Sequence, residues 1–294
     1  MPKSKFHQPP NVFIEAIRLT TRNLKYSSEF YQEVLGFKIL KEDKASISLT
    51  ADGEKEILII DEEKKARPKG KRNLGLYHFA ILLPPGKHLG ALISHIYKFD
   101  SPIITGASDH GISKAIYLED PDGHGIEVYQ DTPPETWTWE YGRIMEKTEK
   151  LNTKKLMKEA EDHEWTELPK NSMIGHIHLS VKDLNEAEKY YTELIGMSLV
   201  MEYPDQAKFF SSGGYHHHIA VNTWSKKKNS DDKIDENQVG MKYFVLLFPN
   251  EWKREHVVNQ LKKNGYPVEP SNHSTDLYTW DPIKNKIILR LYRS

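Results

Sequence analysis

The residue types able to do chemistry in this chain are histidines and carboxylates. It has 14 histidines and no cysteine. Disulfides and thiolate nucleophiles are excluded, so any metal must be held by imidazole and carboxylate. Several histidines fall in short apolar segments: Gly75-Leu76-Tyr77-His78-Phe79-Ala80-Ile81-Leu82, Ile174-Gly175-His176-Ile177-His178-Leu179, and Tyr215-His216-His217-His218-Ile219-Ala220-Val221. A further segment opens on His110, passes Tyr117 and Asp120-Pro121-Asp122-Gly123, and reaches Glu127. Imidazole serves both as a metal ligand and as a base whose ordinary pKa lies near neutrality.

The elements that must position these groups are repeated. Around residue 16 the chain reads Ile14-Glu15-Ala16-Ile17-Arg18-Leu19, then Asn23-Leu24, Phe30-Tyr31 and Leu35-Gly36-Phe37. Around residue 176 it reads Ile174-Gly175-His176-Ile177-His178-Leu179, then Asp183-Leu184, Tyr190-Tyr191 and Ile195-Gly196-Met197. Residue 16 matches 176 and residue 36 matches 196, an offset of 160. Gly75 to Leu82 likewise matches Gly240-Met241-Lys242-Tyr243-Phe244-Val245-Leu246-Leu247. The chain is therefore four related modules in two tandem halves, residues 1–145 and 171–294, joined by a charged connector at 146–170 that holds no catalytic residue.

Each module reads as βαβββ. In module one an alternating strand, Phe13 to Thr20, leads through Asn23 into a short amphipathic helix, Leu24 to Val34. Gly36 stops that helix, and three strands follow, Lys38 to Glu42, Ala45 to Ala51 and Glu56 to Asp61. In module two the Asp120-Pro121-Asp122-Gly123 turn feeds a last strand, Gly125 to Tyr129. The run from Gly213 to Val221 reads as the last strand of module three; alternation then sets His217 on the opposite face from His216 and His218. Residues 152–162 fit an exposed helix, and residues 225–238 a polar loop. His7, His88, His124, His163 and His273 read as solvent-facing.

Charged residues make up 28% of the chain and the formal net charge is −1. That balance argues against nucleic acid or an anionic membrane surface as a partner. The segment Met1 to His7 lacks the apolar stretch of a signal peptide, and no apolar run reaches membrane-spanning length. The expectation is a soluble cytoplasmic protein, with a homo-oligomer left open.

Paired βαβββ modules with these strand openings resemble the vicinal oxygen chelate superfamily of glyoxalases, bleomycin-resistance proteins and extradiol dioxygenases. Within it, the segment His110-Gly111, Ile116-Tyr117, Asp120-Pro121-Asp122-Gly123 and Glu127 is most similar to catechol 2,3-dioxygenases. The resemblance covers about residues 11–131 and 172–293. It implies an α+β fold with the modules paired into two open, barrel-like sheets, and metal ligands on first and last strands.

On that pattern the ligands are His78, His176 and Glu127, holding Fe(II) or Mn(II). His217 is implied as an acid/base, and His110 and Tyr117 complete a polar pocket for a small aromatic diol and O2. His178 competes with His176 for the ligand role. Neither half holds the full set, because Ala16, Tyr243 and Ile288 stand at the corresponding positions. Modules two and three must therefore share one sheet, within the chain or across a dimer. Phe79, Phe209, Tyr215 and Trp224 are the expected walls. Two other readings are a glyoxalase-type lyase or isomerase and a metal-free binding protein of the same fold.

Overall fold

The computed structural model describes residues 4–70, 73–100, 102–224, 237–272 and 274–293. Most of the polar 225–238 segment, and His273, lie outside the described residues. Among those described, no helix is long and apolar enough to cross a membrane.

The fold is α+β, with two large open sheets and four βαβββ modules. One eight-stranded sheet joins module four (Glu269–Pro270, Leu277–Trp280, Lys286–Leu291, Met241–Phe248) to module one (Phe13–Thr21, Leu58–Glu62, Ser46–Thr50, Lys38–Glu42). The nine-stranded sheet begins with Glu149–Lys150 of the connector. It continues through module two (Ile104–Asp109, Ser113–Glu119, Gly125–Asp131, Gly75–Leu82) into module three (Met173–Ser180, Ile219–Asn222, Ala207–Ser211, Ser198–Tyr203). Modules two and three thus pair within one chain, through the antiparallel first strands Gly75–Leu82 and Met173–Ser180.

Strand alternation divides the two faces of this sheet. Phe79, Ile81, Ile177 and Leu179 are fully buried in a large apolar core shared with the helices, while His78, His176 and His178 occupy the alternate positions. Ile174 also reaches that core although it lies three residues from Ile177. A bulge between Ile174 and His176 absorbs the odd residue. Gly175 occupies the bulge, where a Cβ would stand 1.9 Å from the Tyr129 hydroxyl oxygen.

The sequence motifs explain how the halves are tied. Asn23 caps the helix Leu24–Glu33 by accepting the Tyr26 N–H at 3.1 Å, and Gly36 ends it with φ +77°. Buried Tyr31 donates its hydroxyl to Asp120 at 2.8 Å, and the other Asp120 oxygen accepts the Asp122 and His124 N–H groups. Tyr191 and Asp281 repeat this in the second half at 3.0 Å. The Asp-Pro turn is therefore a bracket that orients the strand carrying Glu127. Asp120→Ala strands three buried or half-buried donors and should cost about 2–4 kcal/mol of unfolding free energy by urea titration; a loss under about 0.5 kcal/mol would refute the bracket.

Three local expectations are corrected. The histidine run is not strand: Gly213 and Gly214 take positive φ (+70° and +72°), and the last strand of module three starts only at Ile219. His124 and His7 are buried rather than solvent-facing, because they bond the Thr20 and Gly175 carbonyls, each at 2.9 Å. The connector helix spans Thr153–Glu159, with Leu156 and Met157 packed against the core rather than free in solvent. Its close approach to the helix His88–Ile96 requires Gly90, where a Cβ would meet the Leu156 carbonyl oxygen at 2.2 Å.

Candidate active site

The face of the nine-stranded sheet opposite the helices lines a cleft of about 1040 Å³. The sheet register places its central groups. His78 pairs with His178 across the two first strands, and Ala80 sits between His176 on one side and Glu127 on the other. His78, Glu127 and His176 thereby converge, with one ligand atom from each lying within 4.8 Å of the others. Both His78 Nε2 and His176 Nε2 face the same Glu127 oxygen, at 3.1 and 3.3 Å. All three residues are buried.

This group fits a metal ion. His78 Nε2 is buried and has no hydrogen-bond partner, although a carboxylate oxygen lies beside it. His176 Nε2 is hydrogen-bonded to Glu127 at 3.3 Å, and two nitrogens and a carboxylate oxygen converging in this way suit a shared cation. Protonation states agree. Burial pushes the His176 imidazole down to about 4 against the pull of Glu127, which leaves its ring neutral. Burial also works against the Glu127 carboxylate, but His176 and His78 hold it well below the usual range. The buried His-Glu-His group can bind a metal.

The remaining predicted groups stand around it. His217 packs against His176 with ring centroids 4.1 Å apart, tilted by 51°, and lines the cleft, whereas His216 and His218 turn away to Asp131 and the Phe6 carbonyl. Tyr117 lies across from Glu127 in the register and bonds His110 Nε2 at 2.9 Å. His110 Nδ1 meets the Glu146 carboxylate, which also accepts the Tyr203 hydroxyl at 2.9 Å. Burial opposes a charge on His110, but Glu146 prevails and raises its pKa. Burial, with the repulsion of His176, His216 and other neighbouring imidazoles, drives His217 well below its ordinary value. The cleft therefore holds one imidazole biased toward the acid form and one biased toward the base.

Of the expected walls, Phe209 and Trp224 line the cleft. Phe79 does not, because it neighbours His78 on the strand and alternation sends it into the core. Tyr215 also lies outside, packed among Phe6, Trp137 and Met201. His178 lines the cleft with a buried Nε2 that has no hydrogen-bond partner. Glu146 is a cleft residue on the connector, where no catalytic group was expected. The only sequence signal for it was a carboxylate within a charged stretch.

In the other sheet the corresponding positions cannot do this chemistry. Ala16 and Ile288 form a small apolar cluster with Ile59 and Val245, with Tyr243 packed against it. Arg18, in the place of His178, is held by Asp61 through two hydrogen bonds of 2.7 Å.

The chain's sequence and fold are similar to those of known proteins. A catechol-2,3-dioxygenase of Bacillus subtilis (strain 168) is 40% identical over 260 residues, covering 87% of this chain and 90% of that protein. Glyoxalase I from Zea mays shares the fold at 16% identity and a TM-score of 0.57, over 95% of this chain and 92% of that one. The cppA protein from Streptococcus pneumoniae does so at 16% identity and 0.57, over 95% and 99%. The profile of one family matches both halves, at residues 13–128 and 173–278. With four βαβββ modules and a His-Glu-His group on one sheet, the chain belongs to the Glyoxalase/Bleomycin resistance protein/Dioxygenase superfamily.

Proposed function

We propose that the chain is an extradiol ring-cleaving dioxygenase acting on catechol or a substituted catechol with O2. His78, His176 and Glu127 would hold Fe(II), with Mn(II) a chemically similar substitute. The observation that carries the reading is the convergence of that group in a cleft which also presents a base-biased His217 and an acid-biased His110. Two imidazoles and one carboxylate leave open positions for a chelating diol and O2, and the bound ion would supply the electronic path between them.

The chain's own groups divide the proton work. His217, kept neutral, accepts a proton from a substrate hydroxyl. His110, cationic beside Glu146, donates from Nε2 to the Tyr117 oxygen, which leaves the Tyr117 hydroxyl proton free for a substrate oxygen. Burial and the Glu127 and Glu146 charges keep that phenol from ionising. Buried Phe209 and the exposed rings of Tyr77 and Trp224 offer apolar surface for the substrate ring.

The lyase or isomerase reading lacks a group. The register pairs His178 with Ala220 as it pairs Ala80 with Glu127, so module three carries Ala220 where a second carboxylate would stand. Proton transfer between adjacent carbons has no carboxylate base on that side.

The test is anaerobic reconstitution with Fe(II), then catechol and air, recording the yellow ring-fission product. His217→Ala should retain stoichiometric iron and lose about 10²–10⁴-fold in kcat, the usual worth of a positioned acid/base. Stoichiometric iron without product on catechol or its alkyl and carboxyl derivatives would sink the dioxygenase reading.

A further inference from the structure

Behind His217, away from the cleft, a chain of hydrogen bonds runs to one carboxylate. His217 Nδ1 lies 2.9 Å from His216 Nδ1, and His216 Nε2 lies 2.9 Å from Asp131 Oδ1. The same oxygen accepts the Tyr215 hydroxyl at 3.2 Å, and the Tyr215 oxygen lies 2.7 Å from that of Tyr129. His216 and Tyr215 are fully buried.

The donors in this chain can be assigned from one end. A carboxylate only accepts, so His216 carries its proton on Nε2 and Tyr215 donates to Asp131. With that as the ring's one proton, His216 Nδ1 is a lone pair. The facing His217 Nδ1 must supply the proton between the two rings, which leaves His217 Nε2 as a lone pair. We infer that Asp131 and His216 are positioning residues that fix the Nδ1–H tautomer of His217 and so present its Nε2 to the cleft as an acceptor. The inference rests on the dioxygenase reading for its consequence, though not for the tautomer itself.

The surroundings support this order. Trp137 packs against His216 with ring centroids 5.4 Å apart, and Tyr215 stacks on it at 3.9 Å, so the ring cannot turn freely. Tyr129, which ends the hydroxyl chain, also contacts the His176 ring at 4.9 Å and fills the space that Gly175 leaves. The array that sets the His217 tautomer therefore also backs His176. His217 in the opposite tautomer would offer the cleft a proton where a base is required.

The experiment is long-range proton–nitrogen NMR of the full chain labelled with ¹⁵N at histidine, metal-free and loaded with diamagnetic Zn(II), with His217 assigned by its loss in His217→Gln. The expected spectrum has His217 protonated on Nδ1 and bare on Nε2. In His216→Phe, which keeps a ring in the site but removes the acceptor, and in Asp131→Ala, the spectrum should shift toward the Nε2–H form. In the iron-loaded enzyme both variants should lose about 10- to 1,000-fold in kcat with KM for catechol changed less than about threefold, since a wrong tautomer disables the base without removing substrate contacts. A His217 already protonated on Nε2 in the unaltered chain overturns the inference. So does a tautomer that survives both substitutions, or a kcat that does not fall in either. If the unaltered chain cleaves no catechol, the dioxygenase reading fails, and the NMR alone still decides the tautomer.

Discussion

Glu127→Gln is expected to abolish ferrous iron retention and ring cleavage while leaving the fold intact. The side chain keeps its shape but becomes a neutral amide, a poor ligand beside two imidazoles. The site then loses its single negative donor. Loss of several kcal/mol of ligand-field and charge stabilisation corresponds to at least about 10³-fold in activity at fixed iron concentration. His176→Ala should behave alike, and because His176 lies in the second half of the chain its loss would establish a site drawn from both halves. The measurements are iron content after gel filtration and yellow-product formation. A Glu127→Gln protein that retains one iron and more than a tenth of the activity would remove Glu127 from the ligand set.

The sequence spoke most clearly where one residue's place is set by strand periodicity. His78, His176 and Glu127 sit on strands whose register is locked by apolar neighbours such as Phe79, Ile177 and Val128, all fully buried, so each side chain's face follows from its position. The duplicated motifs added the order of modules, and the division of the histidines between halves required modules two and three to meet.

The rest depends on approaches that no local pattern encodes. Glu146 reaches His110 because the connector folds back along the edge strand Ile104–Asp109, with Glu149 opposite Asp109. Asp131 lies two residues past the expected strand end and finds His216 across the sheet. His7 and His124 look like loop polarity until their distant carbonyl partners arrive. The glycine pair before His216 hid in a run that otherwise resembles strand, since positive φ at both cannot be read from alternation.

Acid should unfold the metal-free chain far more readily than its near-neutral charge balance suggests. His7 carries the argument. It is buried, bonded through Nε2 to the Gly175 carbonyl, and edged against Tyr215 and His218. Burial pushes its pKa from 6.5 down to about 4, opposed by the Gly175 bond and by Asp131. Between pH 6.5 and 4 the unfolded chain therefore binds a proton at this residue that the folded chain refuses. Stability from this group is present above pH 6.5 and is lost as pH falls toward 4, by about 1.4 kcal/mol per pH unit and about 3 kcal/mol in all. His218 is depressed by burial and by His7, and His176, His178 and His217 shift in the same direction. His110, raised by Glu146, and Asp281, raised to about 6 by burial, contribute with the opposite sign. A typical domain has only about 5–15 kcal/mol in reserve, so the His7 contribution of about 3 kcal/mol is a large share of it. Urea titrations at pH 7.5, 6.5, 5.5 and 4.5 should show the midpoint collapsing across that window. His7→Asn should reduce the slope by about 1.4 kcal/mol per pH unit, whatever it does to stability at pH 7.5. A midpoint flat from pH 7.5 to 5 would mean that these imidazoles are hydrated in the folded chain, and the burial of His7 against Gly175 and Tyr215 would have to be abandoned.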